Sequence, residues 1–119
     1  MEEGYLLCCF GNSNYFDLAK RMISEIRKFD SKRKICVLTD NINFFKNLEI
    51  ITIKFDYKDH EHKNINTTND WNKYGLLPKI YQYEYTPFET TCFMDVDMLF
   101  YKDFTFIWDE FKKEKKNVF

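Results

Sequence analysis

Two short runs that are apolar at every position most restrict what this chain can fold into. These runs are Tyr5 to Phe10 and Ile35 to Leu38. Strands with this pattern are covered on both faces, as in a parallel sheet that has helices on each side. Gly11 follows the first run and Thr39-Asp40-Asn41 follows the second, so each strand is predicted to end in a turn.

Helical periodicity alternates with strand candidates along the rest of the chain. Apolar residues recur at helical spacing from about residue 15 to 29, which predicts an amphipathic helix that Ser13 or Asn14 can cap. Further elements are predicted as strands at 50–55 and 91–94, and as helical segments at 44–48, 71–83 and 106–115, with a polar loop at 56–70. This order predicts an α/β fold with a Rossmann-like, mostly parallel sheet and helices on both faces, formed as a single domain over residues 1–119.

Composition excludes several classes of protein. The chain has 18 basic and 19 acidic residues, without the basic excess that nucleic-acid binding needs. The acidic start and the shortness of the first apolar run predict no signal peptide and no transmembrane segment. Four cysteines, none in a CxxC pair, predict buried reduced thiols. We therefore expect a cytoplasmic protein, or a viral protein in the host cytoplasm, that does not bind nucleic acid.

The segment with the most specific chemistry is Asp95-Val96-Asp97, which follows the apolar strand candidate ending at Met94. Two carboxylates two residues apart on an extended chain point to the same side, and ligands of open α/β sheets bind beyond the carboxyl ends of the strands. Converging carboxylates repel each other unless a cation lies between them, and oxygen ligands select Mg²⁺ or Mn²⁺. Such an ion keeps positions for phosphate oxygens and would stabilise a nucleoside diphosphate leaving group. The alternative is an acidic pair in a solvated turn.

With these residues the sequence resembles the GT-A glycosyltransferases, and within them the glycogenin and family 8 group. Residues 93–99 match that family's DxD strand, and 77–81 match its lysine-bearing helix. Residues 5–15 match the first strand and nucleotide loop, and 37–40 match the second strand. The resemblance covers nearly the whole chain and is most specific around the two aspartates. It implies a nucleotide-diphospho-sugar transferase fold, of which this chain is the donor-binding half.

The resemblance also implies site residues. Asp95 and Asp97 would ligate the metal, with Asp95 also near the ribose, and Val96 would belong to the same nucleotide-sugar-binding segment. The donor would be a nucleotide-diphosphate sugar, most simply a UDP-sugar. No residue is assigned as catalytic, and the acceptor is unknown.

Five further residues acquire a binding role in the same way. The backbone of Phe10 and Gly11 would lie along the nucleoside, and Tyr15 would stack on the base. Asp40 would face the base or ribose, and Lys79 would approach the sugar or the diphosphate. Each of the last three has a plainer alternative: an aromatic ring covering the core edge for Tyr15, an Asx turn for Asp40 and a solvated helix position for Lys79.

The sequence departs from the family after the aspartates. Only 22 residues follow Asp97 and none is histidine, whereas the family continues into an acceptor-binding half that usually supplies a further metal ligand and any catalytic base. We therefore expect the chain to be truncated relative to the family, with a partner chain or a C-terminal half completing the enzyme. A non-catalytic nucleotide-sugar-binding module is the main alternative. A haloacid-dehalogenase-type phosphatase also has an apolar strand before DxD, but it needs that strand near the start of its catalytic core.

Overall fold

The computed structural model describes residues 2–11, 13–56, 76–98 and 102–114. Strands and helices alternate along them, and each overlaps its predicted position. The elements are β1 (Glu3–Cys9), α1 (Ser13–Phe29), β2 (Lys34–Thr39), a short 3₁₀-helix (Ile42–Phe45), β3 (Ile51–Lys54), α2 (Leu76–Tyr85), β4 (Thr90–Met94) and α3 (Ile107–Glu114). Most of the predicted polar loop, including His60 and His62, lies outside the described residues, as does Trp71.

The four strands form one all-parallel sheet in the order β3-β2-β1-β4. Strand β1 lies between β2 and β4, with Leu7 opposite Val37 on one side and Met94 on the other. This arrangement confirms the predicted α/β class and the Rossmann-like sheet. It also makes the ends of β1 and β4 neighbours, although 80 residues separate these strands in the sequence.

Helices α1 and α3 cover one face of the sheet. Alternate residues of β1 point to this face, and the fully buried side of α1 packs against them. The cluster includes Tyr5, Leu7, Ala19, Met22, Ile26 and Trp108, each 0% exposed. On the last helix, Trp108 and Phe111 are buried and Ile107 packs against the same cluster.

Helix α2 covers the opposite face. Its residues Tyr81 and Tyr85 pack on a second cluster, made of Leu6, Phe10, Cys36, Leu38, Phe55 and Phe88. The ring of Phe88 lies directly over Gly4 of β1, where a Cβ atom would collide with it. Glycine at this position therefore allows the ring to pack directly on the backbone at the start of β1. Helices on both faces are thus explained by strands that are apolar on both faces.

The cysteines lie in the strands, as predicted. All four are free, and Cys9, Cys36 and Cys92 are buried. Burial disfavours a thiolate and raises the pKa of each of these three thiols to about 12. They are therefore packing residues rather than nucleophiles.

No helix among the described residues combines the length and the apolar character that crossing a bilayer requires.

Candidate functional site

Three of the segments with predicted binding roles come together at the carboxyl edge of the sheet. Gly11 follows β1, Asp40 follows β2, and the turn containing Asp95 and Asp97 follows β4. Since all strands are parallel and β1 pairs with both β2 and β4, these segments leave the sheet at the same edge. This is the edge at which open α/β sheets bind ligands.

The turn after β4 presents two carboxylates to solvent. Strand β4 ends at Met94, and Val96 and Asp97 lie in a turn. Val96 is buried, whereas Asp95 and Asp97 on either side of it are exposed. The alternation of an extended strand was therefore the wrong reason for expecting both carboxylates on one side. A buried valine between two exposed aspartates anchors the turn and leaves both acids outside the core.

Helix α1 holds this turn through Arg21. The Arg21 guanidinium donates a 3.2 Å hydrogen bond to the Met98 carbonyl and makes a longer contact of 3.5 Å with the Val96 carbonyl. These two carbonyls lie on either side of Asp97 in the chain. The Arg21 Nε atom is buried and has no hydrogen-bond partner within the described part of the chain. Arg21 therefore holds the backbone on both sides of Asp97, through an exposed bond to Met98 and a part-buried contact with Val96.

Sequence reasoning missed Arg21. The residue lies 77 positions before Met98, and its neighbours on α1 give no sign of a polar contact. Its position next to the apolar stripe of the helix was the one signal that the sequence offered. A basic residue at such a position is usually explained by its aliphatic stem packing along the core edge.

The segment between β1 and α1 supplies the backbone side of the site. Gly11 has φ 100°, a left-handed conformation that residues with a side chain rarely adopt, and it is exposed. Helix α1 begins two residues later, and Tyr15 in its first turn is 39% exposed. Phe10 contributes its ring to the core, where it packs edge-on against Phe55. The Phe10-Gly11 segment and the partly exposed Tyr15 thus lie at the same edge as the carboxylates.

Asp40 lies two strands away from Asp95, because β1 separates β2 from β4. At one strand spacing per step, their backbones are roughly 10 Å apart, so the two carboxylates would not share one metal ion. Partial desolvation raises the pKa of Asp40, although its carboxylate also accepts a hydrogen bond from its own backbone. The side-chain bond in this turn comes from Thr39, whose Oγ1 accepts from the Asn41 N–H at 3.1 Å, and the ribose or base contact of Asp40 stays a prediction.

Lys79 belongs to α2, on the face opposite α1. Its side chain lies outside the described residues, so its binding role stays a prediction.

The donor atoms at this edge suit a divalent cation that brings other ligands with it. Among residues 2–11, 13–56, 76–98 and 102–114, no group of three or more histidine, cysteine, aspartate or glutamate side chains could hold a metal ion. The carboxylates of Asp95 and Asp97 are two hard oxygen donors. Mg²⁺ is commonly bound in this way, by one or two carboxylates together with substrate phosphates. The site therefore fits a metal–phosphate complex better than a metal ion alone.

The comparison with known families and curated proteins found no match. The resemblance to the GT-A glycosyltransferases rests on the residues quoted above, and the fold rests on the sheet order and register.

Proposed function

We propose that the protein binds a nucleotide-diphosphate sugar, most simply a UDP-sugar, at the carboxyl edge of its sheet and acts as the donor-binding part of a glycosyltransferase. The observation that carries the proposal is the parallel pairing of β1 with β4. This pairing brings the exposed carboxylates of Asp95 and Asp97 to the same edge as the Gly11 turn. The anionic diphosphate needs a pair of carboxylates that binds a cation, and the nucleoside needs an open stretch of backbone. A nucleotide requires these two features side by side.

In this proposal Asp95 and Asp97 hold Mn²⁺ or Mg²⁺, which would neutralise the diphosphate and help it leave. The chain's own groups orient the donor around that ion. The backbone at Gly11 lies along the nucleoside, the ring of Tyr15 stacks on the base, and Asp40 contacts the ribose or base edge. Val96 anchors the turn between the two ligands, and Lys79 would contribute positive charge from α2.

Metal and nucleotide should bind as one complex. Two carboxylates leave most coordination positions of Mn²⁺ to other groups, so the ion alone is held weakly. The diphosphate alone would meet two like charges and is repelled. Each partner therefore increases the affinity of the protein for the other, and the coupling is reciprocal.

The test is calorimetric titration with UDP and GDP, in Mn²⁺ and in EDTA. We expect UDP to bind at least about tenfold more tightly with Mn²⁺, and Mn²⁺ to bind weakly without UDP. Asp97→Asn removes one charged ligand but keeps the shape, and it should abolish the Mn²⁺ enhancement. Its thermal stability should equal or exceed that of the wild type, because the repulsion between carboxylates is relieved.

Asp103 provides the matched control. It is an exposed aspartate six residues after Asp97, and its Oδ1 accepts hydrogen bonds from the Thr105 backbone at 2.8 Å and hydroxyl at 2.7 Å. Asparagine can replace it in this turn. Asp103→Asn should therefore keep metal-dependent UDP binding. The proposal fails if the wild type binds UDP and GDP no more tightly in Mn²⁺ than in EDTA. It also fails if Asp97→Asn and Asp103→Asn show the same Mn²⁺ dependence of UDP binding.

Transfer is tested separately from binding. Incubation with UDP-glucose, Mn²⁺ and candidate acceptors should release UDP if the chain, alone or with a partner, is catalytic. Binding without UDP release would instead support the non-catalytic module, and release of inorganic phosphate from a phosphomonoester would support the phosphatase. Because its buried thiols are reduced and free, we place the activity in the cytoplasm, of a cell or of a virus-infected host.

A further inference from the structure

A basic segment lies at the amino edge of the sheet, opposite the carboxylates. Residues 27–34 connect the end of α1 to the start of β2 and contain five of the chain's 18 basic residues. Asp30 is the one acidic residue among them. The segment is therefore a local concentration of positive charge in a chain whose net charge is −1.

Part of this charge is neutralised within the fold. Arg33 forms ion pairs of 3.0 Å with both Asp30 and Glu3. Asp30 is 5% exposed, and its other oxygen accepts hydrogen bonds from the Lys32 and Arg33 backbone. Asp30 is thus fully committed to holding the loop and cannot neutralise its other basic residues.

The remaining cations keep their charge. Arg27 donates to the carbonyls of Asp30 at 3.4 Å and Arg33 at 2.6 Å, which orient it without neutralising it. The ammonium group of Lys32 has no ion-pair or hydrogen-bond partner in the part of the chain that the structure describes. Lys34 pairs with Glu2 at 2.6 Å, but both side chains are largely exposed, and such a pair is weak.

These three cations line one depression. Arg27, Lys32 and Lys34 surround a cavity of about 320 Å³, and Glu49 is the only carboxylate in its described lining. The rest of the lining is apolar, from the buried Ile35 to the half-buried Leu48 and Ile50. The volume is at the lower end of the range for ligand pockets.

Helix electrostatics explain only part of this arrangement. Basic residues in the last turn of a helix are favoured by the helix dipole, and this accounts for Arg27 and Lys28. Lys32 and Lys34 lie beyond the helix, where that effect does not reach. Both lysines stand at the rim of an apolar depression, where only Lys34 has a carboxylate partner, the exposed Glu2.

We infer that this depression docks an acidic peptide segment that carries one large apolar side chain. The apolar side chain would fill the cavity, while flanking carboxylates contact Lys32 and Lys34. A peptide suits the site better than a membrane, because the apolar groups line a hollow instead of protruding. It also suits the site better than a small molecule, because the hollow is open and would not enclose one. This surface is independent of the nucleotide edge.

The test measures fluorescence anisotropy with a labelled peptide in which phenylalanine is flanked by two glutamates on each side. Two reference peptides replace the glutamates with glutamine or the phenylalanine with glycine. We expect the first peptide to bind most tightly and to weaken as salt is added. The double variant Lys32→Gln/Lys34→Gln should weaken binding about fivefold. Glu49→Gln should strengthen it about twofold, a gain that a damaged fold could not produce.

The matched control is Lys102→Gln/Lys113→Gln, which removes the same charge from two exposed lysines elsewhere. It should leave the affinity unchanged. The inference is overturned if this control weakens binding as much as the first double variant, or if the glutamine-flanked peptide binds equally well. It is also overturned if the peptide fails to bind while phosphatidylserine vesicles do, since the surface would then serve a membrane.

Discussion

At the amino edge of the sheet, Asp30 is buried, and it accepts hydrogen bonds from Tyr5 at 2.7 Å and Arg33 at 3.0 Å. At the carboxyl edge, Asp95 and Asp97 are exposed on a turn. The Trp108 indole extends the buried network by donating to the Tyr5 hydroxyl at 2.8 Å. Polar groups at the amino edge are thus buried and tie the end of α1 to β1 and α3, whereas the two aspartates at the carboxyl edge are exposed.

The protonation of the buried network follows from these contacts. Burial acts to raise the pKa of Asp30, but hydrogen bonds from Tyr5, Arg33 and the loop backbone outweigh it and lower the pKa. Burial, reinforced by the bond to Asp30, raises the pKa of Tyr5. The network is therefore an ionised carboxylate held by a neutral phenol and a cation. We expect mutations here to change stability, and mutations at the carboxyl edge to change binding.

The largest expected effect is on stability, from Trp108→Ala at the amino edge. Trp108 is fully buried against Tyr5 and Phe111, and Arg33 stacks over its ring at 4.6 Å. Its removal leaves a cavity and takes away the hydrogen bond that the indole donates to the Tyr5 hydroxyl, which keeps its bond to Asp30, so the free energy of unfolding should fall by about 3–5 kcal/mol in urea titrations. Tyr15→Ala, an aromatic truncation at the carboxyl edge, should lower it by less than about 1 kcal/mol. Similar losses would mean that the two edges do not differ in this way.

The second effect is a pH dependence that Asp30 confers. Folding lowers the pKa of Asp30, so its ionised carboxylate stabilises the fold at pH values above the unfolded pKa of about 3.9. This stabilisation is lost as the pH falls through the folded pKa. Asp30→Asn should cost about 2–3 kcal/mol at pH 7, where the carboxylate bonds are complete.

The variant should also lose less stability than the wild type between pH 5 and about pH 2.5. Urea titrations across this range check both expectations. Asp109→Asn, which changes an exposed aspartate on α3, is the control and should follow the wild-type curve. If Asp30→Asn is as acid-sensitive as the wild type, other carboxylates dominate acid unfolding.

The third prediction concerns Arg21, which links the core to the carboxyl edge. Arg21→Met keeps the aliphatic stem but loses the bonds to the Val96 and Met98 carbonyls. Unfolding free energy should fall by only about 1 kcal/mol. Under the proposed function, Mn²⁺-dependent UDP binding should weaken about tenfold, because the turn carrying Asp97 is no longer fixed.

Two variants sharpen this result. Arg21→Lys should recover part of the affinity, since an ammonium group can reach one carbonyl. Lys28→Met removes a charge from the same helix at an exposed position, paired with Glu25 at 2.9 Å, and should leave binding unchanged. Equal weakening by Arg21→Met and Lys28→Met would show that net charge, and not the position of the turn, controls affinity.

The smallest effect is expected from Tyr15. If its ring stacks on the base, Tyr15→Ala should weaken UDP binding about fivefold, whereas Tyr15→Phe should change little, because stacking needs the ring and not the hydroxyl. Titration calorimetry in Mn²⁺ measures both. Equal losses would indicate a hydroxyl contact, and no loss in either variant would leave Tyr15 as a residue covering the core edge.

Much of the fold was predictable because the relevant signals are local. The apolar run at 5–10 and the helical spacing at 15–29 report which faces are buried, and these predict a strand and a helix directly. The boundaries of these two elements lie within two residues of their predicted positions. The helix predicted at 71–83 is described at Leu76–Tyr85, and the helical piece expected at 44–48 is a 3₁₀-helix at Ile42–Phe45. The acidic pair was recognisable by residue type and by its position after a buried strand, although its geometry is that of a turn.

The sequence by itself determined the strands and helices, the two faces of the sheet and the presence of a carboxylate pair directly after a buried strand. Only the tertiary structure decided that β1 lies beside β4, that Arg21 reaches a carbonyl 77 residues away, and that Trp108 bonds to Tyr5 across 103 residues. The physical reason is that hydrophobic periodicity depends on neighbours within a few residues. Strand order and buried polar partners depend instead on how complete elements pack, which no local pattern records.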